Sequence, residues 1–268
     1  MDKTRLITIK IRQKVLSFYE GIHRALKFGE EDDLKNIREY TYGDNVKRIN
    51  WIITAKEKKP FVIEREERKN QNIIIVLLLD QEMLYGKKLQ KLYEIYSILG
   101  FSALYQKDKL NTYIFTDKME KFFKHRNAFT VVEDVLKFVD AISLKDKKLQ
   151  TNQIEKYLLR HKRSIVILVG DFVYPIDISL ISSRHKLFII KVREKDEEDP
   201  KKYTGYQLKS FDLKRKIPFL IKPMVKSYIK NLRNLDENLR QQAVLKRVPV
   251  KTIYTHEDPF IKLRIMFS

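Results

Sequence analysis

The sequence predicts an α/β chain built on a doubly wound, mostly parallel sheet flanked by helices. Three observations carry that prediction. Residues Asn72 to Gly86 open with seven consecutive aliphatics, Ile73 to Leu79, and the run stops at Asp80 before a helical pattern begins. An apolar run that short, rich in Ile and Val, suits a strand buried on both faces of a sheet. Two similar runs, Ser164 to Val169 and Lys186 to Val192, follow at a distance, with helix-like stretches between them. Strands alternating with helices imply right-handed crossovers, and such sheets place their binding sites where strands end at the C-terminal edge. Asp80 and Asp171 stand at two of those ends.

Before the first of these strands, residues 1–71 read as an N-terminal α+β extension. Ile11, Val15, Phe18, Ile22 and Leu26 fall at helical spacing within residues 1–28, and residues 29–36 read as an acidic loop. Tyr42-Gly43-Asp44-Asn45 has turn chemistry, because Gly and Asn accept backbone angles that other residues resist. Phe61-Val62-Ile63 reads as a short strand.

The main domain is expected over residues 72–268. After a loop at residues 81–86, Lys87 to Gln106 reads as an amphipathic helix with Leu92, Tyr96, Leu99 and Ala103 on one face. Leu110 to Phe115 is expected as a strand, with Met119 to Phe123 as its antiparallel edge partner. Thr130 precedes a helix carrying Val132, Val135, Leu136 and Val139, and a short helix is expected from Asn152 to His161. A long helix from Pro223 to Arg247, a strand from Val250 to Tyr254 and an amphipathic helix from Pro259 to Phe267 complete the chain.

Bulk properties narrow the function classes. There is no cysteine among the 268 residues, so disulfides, thiolate nucleophiles and cysteine metal sites are excluded. The charged N-terminus lacks the apolar core of a signal peptide and no apolar run is long enough to span a bilayer. The expectation is a cytoplasmic protein with no transmembrane segment. The formal charge is +20, and residues 201–268 hold 16 basic against 5 acidic residues. A basic C-terminal portion of that kind suits nucleic acid or an anionic membrane surface, or else forms a solvated face. His23, His125, His161, His185 and His256 are scattered without metal-ligand spacing. No glycine-rich phosphate cradle or nucleophile elbow appears, so a non-enzymatic protein with no catalytic residues is expected.

One ordered motif goes further. Arg38-Glu39-Tyr40, Gly43-Asp44, Arg48-Ile49-Asn50-Trp51, Ala55-Lys56 and Glu67-Arg68 precede the apolar strand that ends in Asp80. This spacing resembles the bacterial domain-of-unknown-function 58 family, which is von Willebrand A-like. It departs from the family at Asn45 and Asn50, where aspartate is usual. The resemblance implies a von Willebrand A-like fold and a protein-interaction role, with a MoxR-type AAA+ ATPase as partner in chaperone-like or assembly work. Read physically, Asp44 braces a turn, Arg48 pairs with a carboxylate and Trp51 packs as a buried aromatic. The functional alternative is a basic and aromatic docking surface made by Arg38, Tyr40, Gly43, Asp44, Arg48, Trp51, Glu67 and Arg68.

The resemblance also implies a metal-ion-dependent adhesion site, a D-x-S-x-S loop with a later threonine and aspartate holding Mg²⁺ or Mn²⁺ through hard oxygen ligands. Here the loop reads Asp80-Gln81-Glu82-Met83-Leu84, with Thr130 and Asp171 as counterparts of the later ligands. Leu84 cannot ligate, and Glu82 is longer than serine and charged. The site is therefore expected to be degenerate and the protein to need no cofactor. Asp80 and Asp171 then cap helix N-termini or accept from loop amides.

Overall fold

The computed structural model describes residues 11–13, 15, 34–46, 49–65, 71–126, 128–205, 207–209, 216–219 and 221–267. The chain divides into two compact units, one spanning Leu16–Lys69 and the other Met1–Val15 with Asn70–Ser268. Most of the helix expected over residues 1–28 lies outside the described residues; residues 11–13 and 15 are helical.

In the smaller unit β1 (Leu34–Glu39) pairs antiparallel with β2 (Phe61–Arg65), and a short helix α1 (Trp51–Glu57) lies between them in sequence. Residues 34–36, expected as part of a loop, are the start of β1. Leu34 pairs with Arg65 and Asn36 with Glu64, so a partner remote in sequence makes the strand, and local composition carries no sign of it. Asn50 caps α1: its side-chain oxygen accepts from the Ile52 and Ile53 amides at 3.0 and 3.2 Å. Lys58 closes the helix in the left-handed conformation at φ 56°.

The larger unit is built on six strands, β3 (Asn72–Leu78), β4 (Lys109–Phe115), β5 (Met119–Phe123), β6 (Ile165–Gly170), β7 (Lys186–Arg193) and β10 (Val250–Tyr254). Their spatial order is β10-β7-β6-β3-β4-β5, all parallel except the edge strand β5. A small antiparallel pair, β8 (Gln207–Lys209) with β9 (Lys216–Phe219), stands apart from this sheet. From β3 the chain steps outward through β4 to β5, then returns to the other side of β3 and steps outward again through β6, β7 and β10. The direction of winding reverses between β3 and β6. That is the doubly wound arrangement the sequence predicts, and its crevice opens beyond the C-terminal ends of β3 and β6.

The two faces of β3 explain its unbroken apolar run. Ile74, Val76 and Leu78 enter a core with Ile154 and Leu158 of α4 (Ile154–Leu158), Ile181 of α5 (Ser179–Arg184) and Leu239 and Ala243 of α7 (Lys222–Lys246). Ile75 and Leu77 alternate to the opposite face, where α2 (Lys88–Tyr105) lies with α3 (Thr130–Ala141) and α8 (Pro259–Phe267). Every residue from Ile74 to Leu79 is fully buried. Helix α2 is not amphipathic as its spacing suggests: thirteen of its eighteen residues are buried. Sandwiched between the sheet and two helices, it has little solvent face. Helix α8 departs in the other direction, with Ile261, Ile265 and Phe267 exposed and Pro259 and Leu263 alone buried.

Candidate functional site at the rim of the sheet

Asp80 follows the last residues of β3 and Asp171 follows β6, and these strands are hydrogen-bonded neighbours in parallel register, Leu77 opposite Val169. Both carboxylates therefore finish inner strands at the crevice where the winding reverses. Each is tied down locally. Asp80 caps a 3₁₀ turn (Gln81–Leu84), accepting from the Glu82 amide at 3.0 Å. Asp171 accepts from the Val173 amide at 3.4 Å. Phe172, between them, is a bulky residue held at φ 55°, in a region that non-glycine residues avoid. Its burial in the core beside Tyr174 holds it there.

A lysine ties the end of β6 to the segment that follows β7. Lys88 is the first residue of α2, and its side chain is completely buried. Its Nζ donates to Asp171 Oδ2 at 3.2 Å and to Glu197 Oε1 at 2.5 Å, and those two carboxylates are themselves 0% and 7% exposed. A cation at a helix N-terminus runs against the helix dipole. It is held here because its stem is packed and its charge meets two carboxylates that water does not reach. Leaving one such partner unpaired in the interior costs about 3–5 kcal/mol. Glu197 is fixed in turn by the short helix α6 (Lys195–Glu198), where its other oxygen accepts from the Glu194 amide at 2.9 Å to complete a capping box. Glu194 reaches across to the Lys87 amide at 2.8 Å and to the Thr255 hydroxyl at 2.5 Å. The loops after β3, β6, β7 and β10 are thus joined through side chains.

The electrostatics follow from this crowding. Asp80 is pushed up to about 7, chiefly by burial, then by the Asp171 and Glu82 carboxylates, with Lys88 opposing. Burial also raises Glu197, against the pull of Lys88. Arg193, at the end of β7, is fully buried; its Nη2 donates to Asp236 at 3.1 Å and to the Phe172 carbonyl at 3.5 Å. Its Nε and Nη1, and the Tyr174 hydroxyl, make no hydrogen bond among the described residues.

Thr130 does not belong to this rim. It is exposed, at the start of α3, directly after Phe129, whose ring lies 6.2 Å from Phe101 and 6.0 Å from Tyr105. Those rings are near the C-terminal end of α2, roughly 20 Å along the helix from Lys88 at 1.5 Å per residue. The antiparallel strand β5 carries the chain back to the far edge of the sheet, and α3 starts there. The threonine on the loop that does return to this rim is Thr151: the Gln81 amide donates to Lys147 and the Gln150 amide to Thr116 at the end of β4. The Thr151 hydroxyl donates to the Pro175 carbonyl at 3.1 Å. Among the described residues no three His, Asp or Glu side chains form a group that could hold a metal ion.

In the smaller unit, Asp44 accepts from both Arg38 guanidinium nitrogens at 2.7 and 2.9 Å, and from the Thr41 amide and hydroxyl at 2.8 and 2.9 Å. The Arg38 guanidinium, and next the Thr41 amide, hold its carboxyl far below the usual carboxylate range. Gly43, at φ 106°, makes the turn that brings Asp44 back to Arg38. Tyr40 is half-buried and its amide donates to the Pro60 carbonyl at 2.7 Å. Trp51 is not the buried aromatic expected of it. As the first residue of α1 it is 66% exposed, beside Ile52 at 74%, with Tyr42 fully exposed and Val46 at 57%. Asn50, directly before Trp51, caps the helix, and none of the seven helix residues is buried. Arg48, Glu67 and Arg68 lie outside the described residues.

Sequence reasoning missed Lys88, whose setting, Gly86-Lys87-Lys88-Leu89, looks like a solvated basic pair. The one signal was its position, a lysine where a helix N-terminus favours an acid.

No curated protein matches the chain. Among solved structures, the crystal structure of the SpRpn10 VWA domain is similar at 11% identity and a TM-score of 0.39, over 74% of this chain and 94% of that one. The family described as protein of unknown function DUF58 matches residues 36–210, which take in the turn at Asp44, the helix at Trp51 and the rim from Asp80 to Glu197. The chain belongs to that family.

Proposed function

We infer that the protein is a non-enzymatic docking module, a von Willebrand A-like domain that binds another protein. The observation that carries this is the exposure of Tyr42, Val46, Trp51 and Ile52 within the family's own motif. Large apolar side chains cost free energy in water, and aromatic groups held on a capped helix and a braced turn are the kind of anchor that dominates protein interfaces. The loops at the rim, Gln81 to Gly86 and the segment after Asp171, add a second, polar surface. The partner implied by the family resemblance is a MoxR-type AAA+ ATPase, in a chaperone-like or assembly role in the cytoplasm. Capture from native lysate tests this, with a Trp51→Ala/Ile52→Asp variant as control. Recovery of an AAA+ ATPase by the wild type and its loss with the variant is the expected result; equal recovery by both counts against the surface.

A second reading is favoured by one feature of α7. Lys226, Arg233 and Arg240 recur every seven residues along it, with Arg247 as the residue that ends it; all are exposed, and the last three line a cavity of about 940 Å³ beside β10, together with Asp236 and Glu237. A basic stripe of this kind suits nucleic acid or an anionic membrane surface. Affinity would then fall steeply as salt rises. A gel shift and vesicle sedimentation at two ionic strengths separate this reading from the first.

A further inference from the structure

We propose that the ammonium of Lys88 is this domain's built-in cation: it holds the rim carboxylates together in place of the divalent ion for which such a crevice is otherwise suited. The geometry is specific. Asp171 and Glu197 approach Nζ from β6 and α6 at 3.2 and 2.5 Å, while the lysine itself comes from α2, immediately beyond the loop that carries Asp80. One charged group therefore binds segments separated by 83 and 109 residues, the cross-linking task a coordinated ion performs.

The residues present do not fit a divalent ion. Leu84 offers no ligand atom, and Thr130 is at the opposite end of the sheet. Asp80 Oδ1 is engaged by the Glu82 amide, and Asp171 has one oxygen on an amide and the other on Lys88. A second cation entering beside Asp171 meets the ammonium at close range in a setting with little water to screen it. A tethered ammonium also differs from a metal in what it leaves open. Lys88 has no exposed surface, so it offers no coordination position to an acidic side chain arriving from outside. If the domain docks on a protein as proposed above, that contact uses other groups and survives chelators. This consequence rests on the docking reading; the identity of the cation does not.

Two measurements on the full chain test the proposal. Mg²⁺ and Mn²⁺ are titrated into chelator-stripped wild type by calorimetry, with Mn²⁺ also followed by its paramagnetic resonance. No saturable binding up to millimolar concentration is expected; saturable binding that Asp80→Ala abolishes overturns the proposal. In the second, thermal unfolding in chelator compares wild type with Lys88→Met, which keeps the stem and removes the charge. A fall in Tm of roughly 10 °C is expected from stranding two buried carboxylates, and an unchanged Tm overturns the proposal. If Lys88→Met does not fold, Lys88→Met/Asp171→Asn/Glu197→Gln replaces it. Neutralising the stranded carboxylates is expected to restore a cooperative transition, and failure to restore one counts as a refutation.

Discussion

At the scale of single residues, the charges at Asp44 and at the rim are held by specific partners. Asp44 accepts four hydrogen bonds from Arg38 and Thr41 and so converts an exposed turn into a fixed one. Asp44→Asn keeps the shape but loses the charge that two guanidinium nitrogens face. Faster amide exchange at Thr41 is the expected outcome, read by hydrogen-exchange mass spectrometry or NMR; unchanged protection would show that the turn holds without the pair. His185 is the buried group that matters near neutral pH. Its Nε2 lies 3.1 Å from the Leu158 carbonyl and donates to it, while Nδ1 has no partner among the described residues, so the neutral ring fits and the charged one does not. Burial is the first cause of its lowered pKa. Its folded value lies below its unfolded value. The stability it contributes is therefore present above the ordinary imidazole pKa of about 6.5 and is lost as pH falls below that. Asp80, pushed up to about 7, acts in the opposite sense, its contribution being lost as pH rises toward neutrality. The two are separated by comparing wild type with His185→Gln from pH 7.5 to 5: the variant is expected to lose less Tm on acidification. Few of these roles are legible in sequence. Asp80 and Asp171 announce themselves by ending apolar runs, whereas Lys88 and His185 look like ordinary polar residues until tertiary structure buries them.

At the scale of elements, the inner strands and their caps carry the argument. Gly170 ends β6 against β3, and a Cβ there would lie 2.9 Å from the Leu78 carbonyl oxygen and 3.0 Å from the Tyr174 hydroxyl. The first of these neighbours is backbone and cannot turn aside. Gly170→Ala is expected to destabilise by about 1–3 kcal/mol, as other overpacked interiors do, measured from the shift in denaturant midpoint at constant slope. Asn50→Ala removes the cap of α1 and is expected to cost about 1 kcal/mol of local stability, while Asn50→Asp retains it. Exchange protection of residues 52–57 distinguishes the two. The strands β3, β4, β5, β6, β7 and β10 were readable because each couples an apolar pattern to a turn or helix signal. β1 was not, because its pairing with β2 supplies what its own residues lack. α1 was hidden for a related reason: seven residues long with none buried, its apolar residues Trp51, Ile52 and Ile53 run consecutively rather than at helical spacing, and its cap is its clearest mark.

At the scale of the whole molecule, six strands wound outward from β3 in both directions bring one set of loops to a single rim, and side chains from four of those loops hold it together. No helix among the described residues is long and apolar enough to cross a membrane. What the fold presents outward is then a polar rim with its cation inside, a motif segment with exposed aromatics, and a basic helix. The doubly wound sheet was predictable because short apolar runs rich in Ile and Val, bounded by turn or helix signals, separate buried strands from helices. Which surface binds was not, since the exposure of Trp51 is set by tertiary packing that the motif's spacing does not show. Equilibrium binding of a purified MoxR-type AAA+ ATPase to wild type and to Trp51→Ala, in chelator, is the most direct test of the docking account. It predicts saturable binding that the substitution weakens about thirty-fold, the loss of a single interfacial anchor worth roughly 2 kcal/mol. Absence of binding, or binding that appears only with added divalent ion, would contradict it.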